Sequence, residues 1–172
     1  MLHITKNTNA HIHYITDSSN VYSCGWGGYF QLGTENSDDR FEPDIVDSIA
    51  ELEIDVKLIC ASQWMSCVVD ADGDMYCVGL KAWTGKPWKL QNASQIWAPR
   101  PEKIDFPGKV ISVSAGVRHM TVLVADSTAD TPTSEVSTAV YRFGDVWPPQ
   151  RIATNVQLAA STKWGSVFWC KA

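Results

Sequence analysis

An all-β fold of repeated blades is predicted by three observations. Short runs of β-branched and aromatic residues alternate with Asp, Gly, Ser and Pro, no long 3.6-residue periodicity interrupts them, and a hairpin-like unit returns at a spacing of 54 residues. The architecture expected is a partial β-propeller of about three four-stranded blades plus one extra strand, a single domain over residues 1–172. Its repeat units cover about residues 10–63, 64–117 and 118–163, followed by a terminal strand at 164–172.

Each unit is justified by its parts. Residues 11–22 (HIHYITDSSNVY) align with 65–76 (MSCVVDADGDMY), and residues 119–126 (HMTVLVAD) continue the series. Every copy has an apolar strand, a turn of Asp, Ser or Gly, and a second strand that ends aromatic-x-x-Gly: Tyr22 to Gly25, Tyr76 to Gly79, Tyr141 to Gly144. That is the pattern of a hairpin. A further strand is expected from a second block, residues 56–64 (VKLICASQW), 110–118 (VISVSAGVR) and 156–164 (VQLAASTKW), in which small residues recur where strands crowd together. The fourth strand is announced by a proline and a nearby apolar residue: Pro43 with Val46, Pro101 with Ile104, Pro149 with Ile152. Proline belongs on an edge strand, where a missing N–H is tolerated. Residues 127–138 (STADTPTSEVST) interrupt the third hairpin and read as a flexible insert.

Composition excludes several function classes. The net charge is −5, and residues 1–55 hold ten of the nineteen acids against only Lys6 and Arg40. Without a dense Lys/Arg stripe, direct binding to a nucleic-acid backbone is not expected. No apolar stretch is long enough to span a bilayer and no secretory h-region opens the chain, so a nuclear or cytoplasmic location, away from membranes and not secreted, is expected. The sequon Asn92-Ala-Ser94 is then expected to go unused. The five cysteines are odd in number and form no CxxC pair, so they read as reduced thiols in small core positions.

Motifs that superficially suggest chemistry have plainer readings. The run Gly25-Trp26-Gly27-Gly28 follows a strand but lacks the spacing of a phosphate-binding loop, and reads as a tight blade turn. Asp70-Ala71-Asp72-Gly73-Asp74 begins like a calcium loop but has Met75 where glycine is needed and Lys81 where a bidentate glutamate is needed, so it reads as a hairpin turn. His11 and His13 share one strand face without a third ligand nearby, and His11 matches His119 in the repeat, so both read as structural. No metal, cofactor or catalytic residue is assigned, because no nucleophile stands beside a base.

Two segments exceed what a blade requires. Residues 80–100 replace a glycine-rich turn with a loop carrying Trp83, Trp88 and Trp97 beside Lys86 and Lys89. Tryptophan near cations is a hot-spot composition. The loop is read either as a partner-binding element or as packing over its own blade. Residues 35–55 hold nine acids, among them Asp38, Asp39 and Glu42, and read either as a solvated loop or as a docking site for a basic partner.

The run at residues 21–33 (VYSCGWGGYFQLG), then Pro43, residues 56–62 (VKLICAS), residues 72–76 (DGDMY) and residues 115–119 (AGVRH), resembles the repeat of the regulator of chromosome condensation family. The resemblance extends over about residues 10–172 and is most specific in the first unit. After Leu80 there is no Gln-Leu-Gly, and the third unit passes directly from Gly144 toward Pro148. The family implies a seven-bladed propeller whose faces and loops bind proteins, and some members exchange guanine nucleotides on a small GTPase. The function expected is therefore a non-catalytic scaffold or adaptor. Its open flanks would be covered by a partner chain or a second copy supplying the missing blades. The alternatives are an exchange factor for a small GTPase and a chromatin or histone-associated regulator.

Overall fold

The computed structural model describes residues 3–6, 11–81, 96–126, 138–143, 150–154, 156–161 and 166–170. Three four-stranded antiparallel sheets and one two-stranded sheet follow one another along the chain. Blade 1 is β1 (His3–Lys6), β2 (His11–Ile15), β3 (Val21–Gly25) and β4 (Arg40–Ile45), with a short α1 (Asp47–Ala50) after it. Blade 2 is β5 (Val56–Ala61), β6 (Met65–Asp70), β7 (Met75–Leu80) and β8 (Trp97–Ile104). Blade 3 is β9 (Gly108–Ala115), β10 (Met120–Asp126), β11 (Thr138–Phe143) and β12 (Gln150–Thr154), and β13 (Val156–Ser161) pairs with β14 (Ser166–Cys170). Strands β1, β5, β9 and β13 lie beside one another and form the inner rank. Among the described residues no helix is long and apolar enough to cross a membrane.

Sequence unit and sheet are out of phase by one strand. The block that closes each repeat in sequence, such as residues 56–62, supplies the inner strand of the next blade. The first blade accordingly has an inner strand, β1, upstream of the region where the repeat is legible. Its pairing with β2, Ile4 opposite Tyr14 and Lys6 opposite Ile12, completes the fourth strand of that sheet.

The aromatic-x-x-Gly signature has a backbone cause. Gly25 and Gly79 have φ of 109° and 97°, a region in which glycine alone is unstrained. Register to the outer strand shifts beside each, between Ser23 and Gly25 and between Cys77 and Gly79. The glycine therefore ends the third strand in a bulge and turns the chain into the loop. At Gly79 there is also no room: a Cβ would lie 2.5 Å from Trp64 O.

Alternation along the middle strands sorts residues between blades. On β6, Met65, Cys67 and Val69 pack with Met120, Val122, Val124, Tyr141 and Phe143 of blade 3. Val68, on the opposite face of the same strand, packs with Ile15, Val21, Val46 and Ile49 of blade 1. Because both faces are covered, all six residues of β6 are buried, including the polar Ser66, whose hydroxyl meets His11 of blade 1, and Asp70 at the strand's end. Leu123 and Val140 continue the stack onto Val156 and Ala159 of β13.

The cysteines depart from the reading as reduced thiols. Cys67 and Cys77 are bonded, with S–S 2.15 Å, while Cys24 and Cys60 are free. The cause is hairpin register: the two residues stand directly opposite across β6 and β7, with Cα atoms 4.1 Å apart. A search for CxxC spacing cannot see a pair created by the turn between two strands.

Candidate interaction surface

The loops at one end of the blades carry aromatic side chains that meet. Tyr29, from the loop between β3 and β4, is at the centre. Its ring stacks on Trp97 at the start of β8, with centroids 4.8 Å apart and planes 10° apart. Trp26 meets it edge-on at 4.8 Å and Trp64, from the β5–β6 turn, at 6.1 Å. Phe30 leans on Trp97 at 6.3 Å. Arg118, exposed in the β9–β10 turn, places its guanidinium carbon 5.0 Å from the Trp64 ring centroid. Three blades thus contribute to one aromatic cluster with a cation at its rim.

The glycine-rich run builds this cluster as a tight turn. The Gly27 N–H donates to Asp39 Oδ1 at 3.0 Å, and a Cβ on Gly27 would lie 2.1 Å from Asp38 O. A Cβ on Gly28 would meet the Trp26 ring at 2.6 Å, so only glycine lets the indole fold back over the chain. Phe30 N–H donates to Gly27 O, and Gly33 N–H to Phe30 O. Beneath, the buried Gln31 side-chain oxygen accepts from Tyr29 N–H at 2.8 Å, and Ser23 Oγ donates to Leu32 O at 2.9 Å. The turn is thereby tied to the blade before its aromatic rings are placed.

The residues singled out in the sequence fall in three places. Trp97 is in the cluster. Asp38 and Asp39 are exposed on the same loop, and Asp39 also accepts the Gly27 N–H just described. Glu42 is exposed on the outer strand β4, beside Phe41 at 95% exposure. Trp83, Lys86, Trp88 and Lys89 lie outside the described residues. Trp26, Tyr29, Trp64 and Arg118 do not stand out in the sequence as partner-binding residues, although Trp64 and Arg118 occupy the same position of the repeat block. In space these equivalents from neighbouring blades touch.

The acidic segment is more than a loop. It contains β4 and α1, and it is anchored by the buried Val46 and Ile49 and by Ser48 Oγ donating to Gly33 O at 2.6 Å. Glu35 and Glu51 both pair with Arg100 on β8. These links fasten the segment to blade 2 and leave Asp38, Asp39 and Glu42 facing solvent.

The other motifs are structural in this fold. Asp70-Ala71-Asp72-Gly73-Asp74 forms the β6–β7 turn, where Asp74 N–H donates to Asp70 Oδ1 at 2.8 Å. Lys103 and Lys109 bracket the Asp74 carboxylate at 2.8 and 3.1 Å and hold it below the usual carboxylate range. His11 Nε2 meets Ser66 Oγ across the seam to blade 2 at 3.0 Å, and His13 Nε2 donates to Gln31 O at 3.1 Å. Burial pushes the two imidazoles down to about 3 and about 4, so both are neutral and rigidly placed at ordinary pH. Among the described residues no three His, Cys, Asp or Glu side chains are grouped to hold a metal ion.

Parts of this sequence, and its fold, are similar to those of known proteins. The model described as the regulator of chromosome condensation (RCC1) repeat matches residues 18–69. The E3 ubiquitin-protein ligase HERC2 of Homo sapiens is 31% identical over 115 residues, 66% of this chain and 2% of HERC2, and its Mus musculus counterpart is 30% identical over the same length. The fold resembles Prp20p from Saccharomyces cerevisiae, described for its binding to Gsp1p and histones, with TM-score 0.68 at 19% identity. That match covers 96% of this chain and 42% of Prp20p. Human WBSCR16 matches with TM-score 0.58 at 15% identity, over 99% of this chain and 57% of that one. The chain thus spans a small part of HERC2 and less than half of Prp20p.

Proposed function

From the chain's membership of the regulator of chromosome condensation (RCC1) repeat family, we propose that it is a non-catalytic protein-interaction module, a propeller segment that binds a protein partner through its aromatic loop end. The observation that carries this reading is the convergence of Trp26, Tyr29, Trp64 and Trp97 from two blades, with Arg118 from the third at the rim. Large rigid rings set on tied loops bury area at little entropic cost, and the exposed Asp38, Asp39 and Glu42 nearby favour a basic partner. Prp20p, whose structure is described with its histone binding, supplies the probe.

The test is a titration of the chain with purified core histones. Trp26→Ala is expected to weaken binding about thirtyfold, a hot-spot loss of roughly 2 kcal/mol, in a chain that remains folded. Salt should weaken the unaltered complex. Unchanged affinity in Trp26→Ala removes the aromatic end from the interface. Acceleration of guanine-nucleotide release from a small GTPase would instead support the exchange-factor reading and overturn the non-catalytic one.

The module is also proposed to assemble through blade 1. Ile12, Tyr14, Tyr22 and Cys24 form the face of blade 1 turned away from blade 2, and all four are half-buried, with Tyr14 and Tyr22 stacked at 5.1 Å. In the repeat, Ile12 and Tyr14 correspond to Ser66 and Val68 of blade 2 and to Met120 and Val122 of blade 3, which are buried. A further blade of the same kind fits this face. Light scattering on the chain is expected to give a mass above 19.0 kDa, and a stable monomer would contradict assembly between copies.

A further inference from the structure

Three cysteines of blade 2 stand side by side on one face. Register pairs Cys60 of β5 with Cys67 of β6, and Cys67 with Cys77 of β7, so their side chains form a row across three strands. The row faces blade 3, where Met120 Sδ lies 3.2 Å from Cys67 Sγ. Cys67 is bonded to Cys77, and Cys60 is a free thiol buried in the same layer.

The two neighbours of Cys67 are inequivalent: Cys77 is bonded to it, and Cys60 lies within bonding range. Leu80 N–H donates to Trp64 O and Asp70 N–H to Asp74 O, which places the even-numbered residues of β6 in hydrogen-bonded pairs with β7. Cys67 and Cys77 are therefore a non-hydrogen-bonded pair, the closer kind, as their 4.1 Å Cα separation shows. On the other side, Ser62 N–H donates to Met65 O, so Cys60 and Cys67 form a hydrogen-bonded pair. Such pairs have Cα atoms about 5.5 Å apart, inside the roughly 4.4 to 6.8 Å that a disulfide spans. Cys60 and Cys77 are two strands apart, about 10 Å, and cannot be joined.

We propose that Cys60, Cys67 and Cys77 form one thiol–disulfide exchange site in which the central Cys67 bonds either neighbour. The Cys60 thiolate attacks Cys67 Sγ, the Cys67–Cys77 bond breaks, and Cys77 leaves as a thiolate and takes up the proton that Cys60 lost. One disulfide and one thiol remain, with no net oxidation. The row supplies the in-line approach, because Cys60 lies on the side of Cys67 opposite Cys77. The site is gated by the seam with blade 3, since Met120 covers Cys67 and the buried Cys60 thiol is pushed up to about 12. Exchange therefore requires local opening of that seam.

Peptide mapping of the chain, after thiols are trapped by alkylation in denaturant, tests the site. In a glutathione redox buffer the unaltered chain should show Cys67–Cys77 with a free Cys60. The variant Cys77→Ser should acquire a Cys60–Cys67 bond, and Cys67→Ser should leave both Cys60 and Cys77 as thiols. If Cys77→Ser fails to fold, Cys77→Val fills the same apolar position and takes its place. A folded Cys77 variant that keeps Cys60 and Cys67 reduced would overturn the proposal, as would a Cys60–Cys77 bond in Cys67→Ser.

Discussion

Replacing Phe143 by alanine is expected to destabilise the chain by about 3 to 5 kcal/mol, lowering the thermal midpoint by roughly 10 °C for a chain of this size. Phe143 is fully buried, with its ring 6.2 Å from Phe106, in the core shared by blades 2 and 3. The surrounding side chains come from two separate sheets and cannot close over the gap without moving one blade against the other, so a cavity remains. Phe41→Ala deletes the same ring from a position 95% exposed, and should change stability by no more than about 0.5 kcal/mol. Urea unfolding of both variants checks the contrast. Similar losses in the two would mean that the seam between blades 2 and 3 does not hold the ring as described.

Mild acid is expected to weaken the seam between blades 1 and 2. The unfolded chain has ordinary histidines near 6.5, whereas burial holds His11 at about 3 and His13 at about 4. Below pH 6.5 the unfolded state binds protons that the folded state refuses, so stability present above that pH is lost as pH falls toward 4. At pH 5 the loss is about 2 kcal/mol for each ring. The carboxylates held low by ion pairs, Asp55 and Asp74, add their losses mainly below about pH 5. Denaturant unfolding at pH 7.5 and pH 5 measures the difference. In His11→Gln it should shrink by about 2 kcal/mol, and an unaltered difference would show that His11 is not buried as a neutral ring.

Much of the fold is legible because its physical requirements repeat. A hairpin needs a turn at one place and a bulge at another, so turns of Asp, Ser or Gly and the glycines at 25 and 79 recur at the spacing of 54 residues. Covered sheet faces call for apolar side chains on both sides, as with Met65, Cys67 and Val69 on one face of β6 and Val68 on the other. β1 escapes such a reading because four residues, His3–Lys6, carry neither turn nor bulge and become a strand only by pairing with β2.

The interaction surface is less legible. Trp97 stands out by its type, but its partner Tyr29 is 68 residues earlier, and no periodicity links them. Trp64 and Arg118 are detectable as equivalents in the repeat, since equivalent loops on neighbouring blades lie side by side. Their contact, however, depends on how far one blade turns relative to the next.

By itself the sequence determined that this chain is a stack of four-stranded blades, because strand alternation, turns and bulges are set by interactions within a few residues or one hairpin. Tertiary structure decided which residues meet across the seams. It placed His11 against Ser66, Met120 against Cys67 and Tyr29 against Trp97. It also paired Cys67 with Cys77 through a register that residue spacing alone does not reveal. The physical reason is that a repeat specifies each blade's two faces, whereas contact between faces depends on the twist and offset with which whole sheets pack.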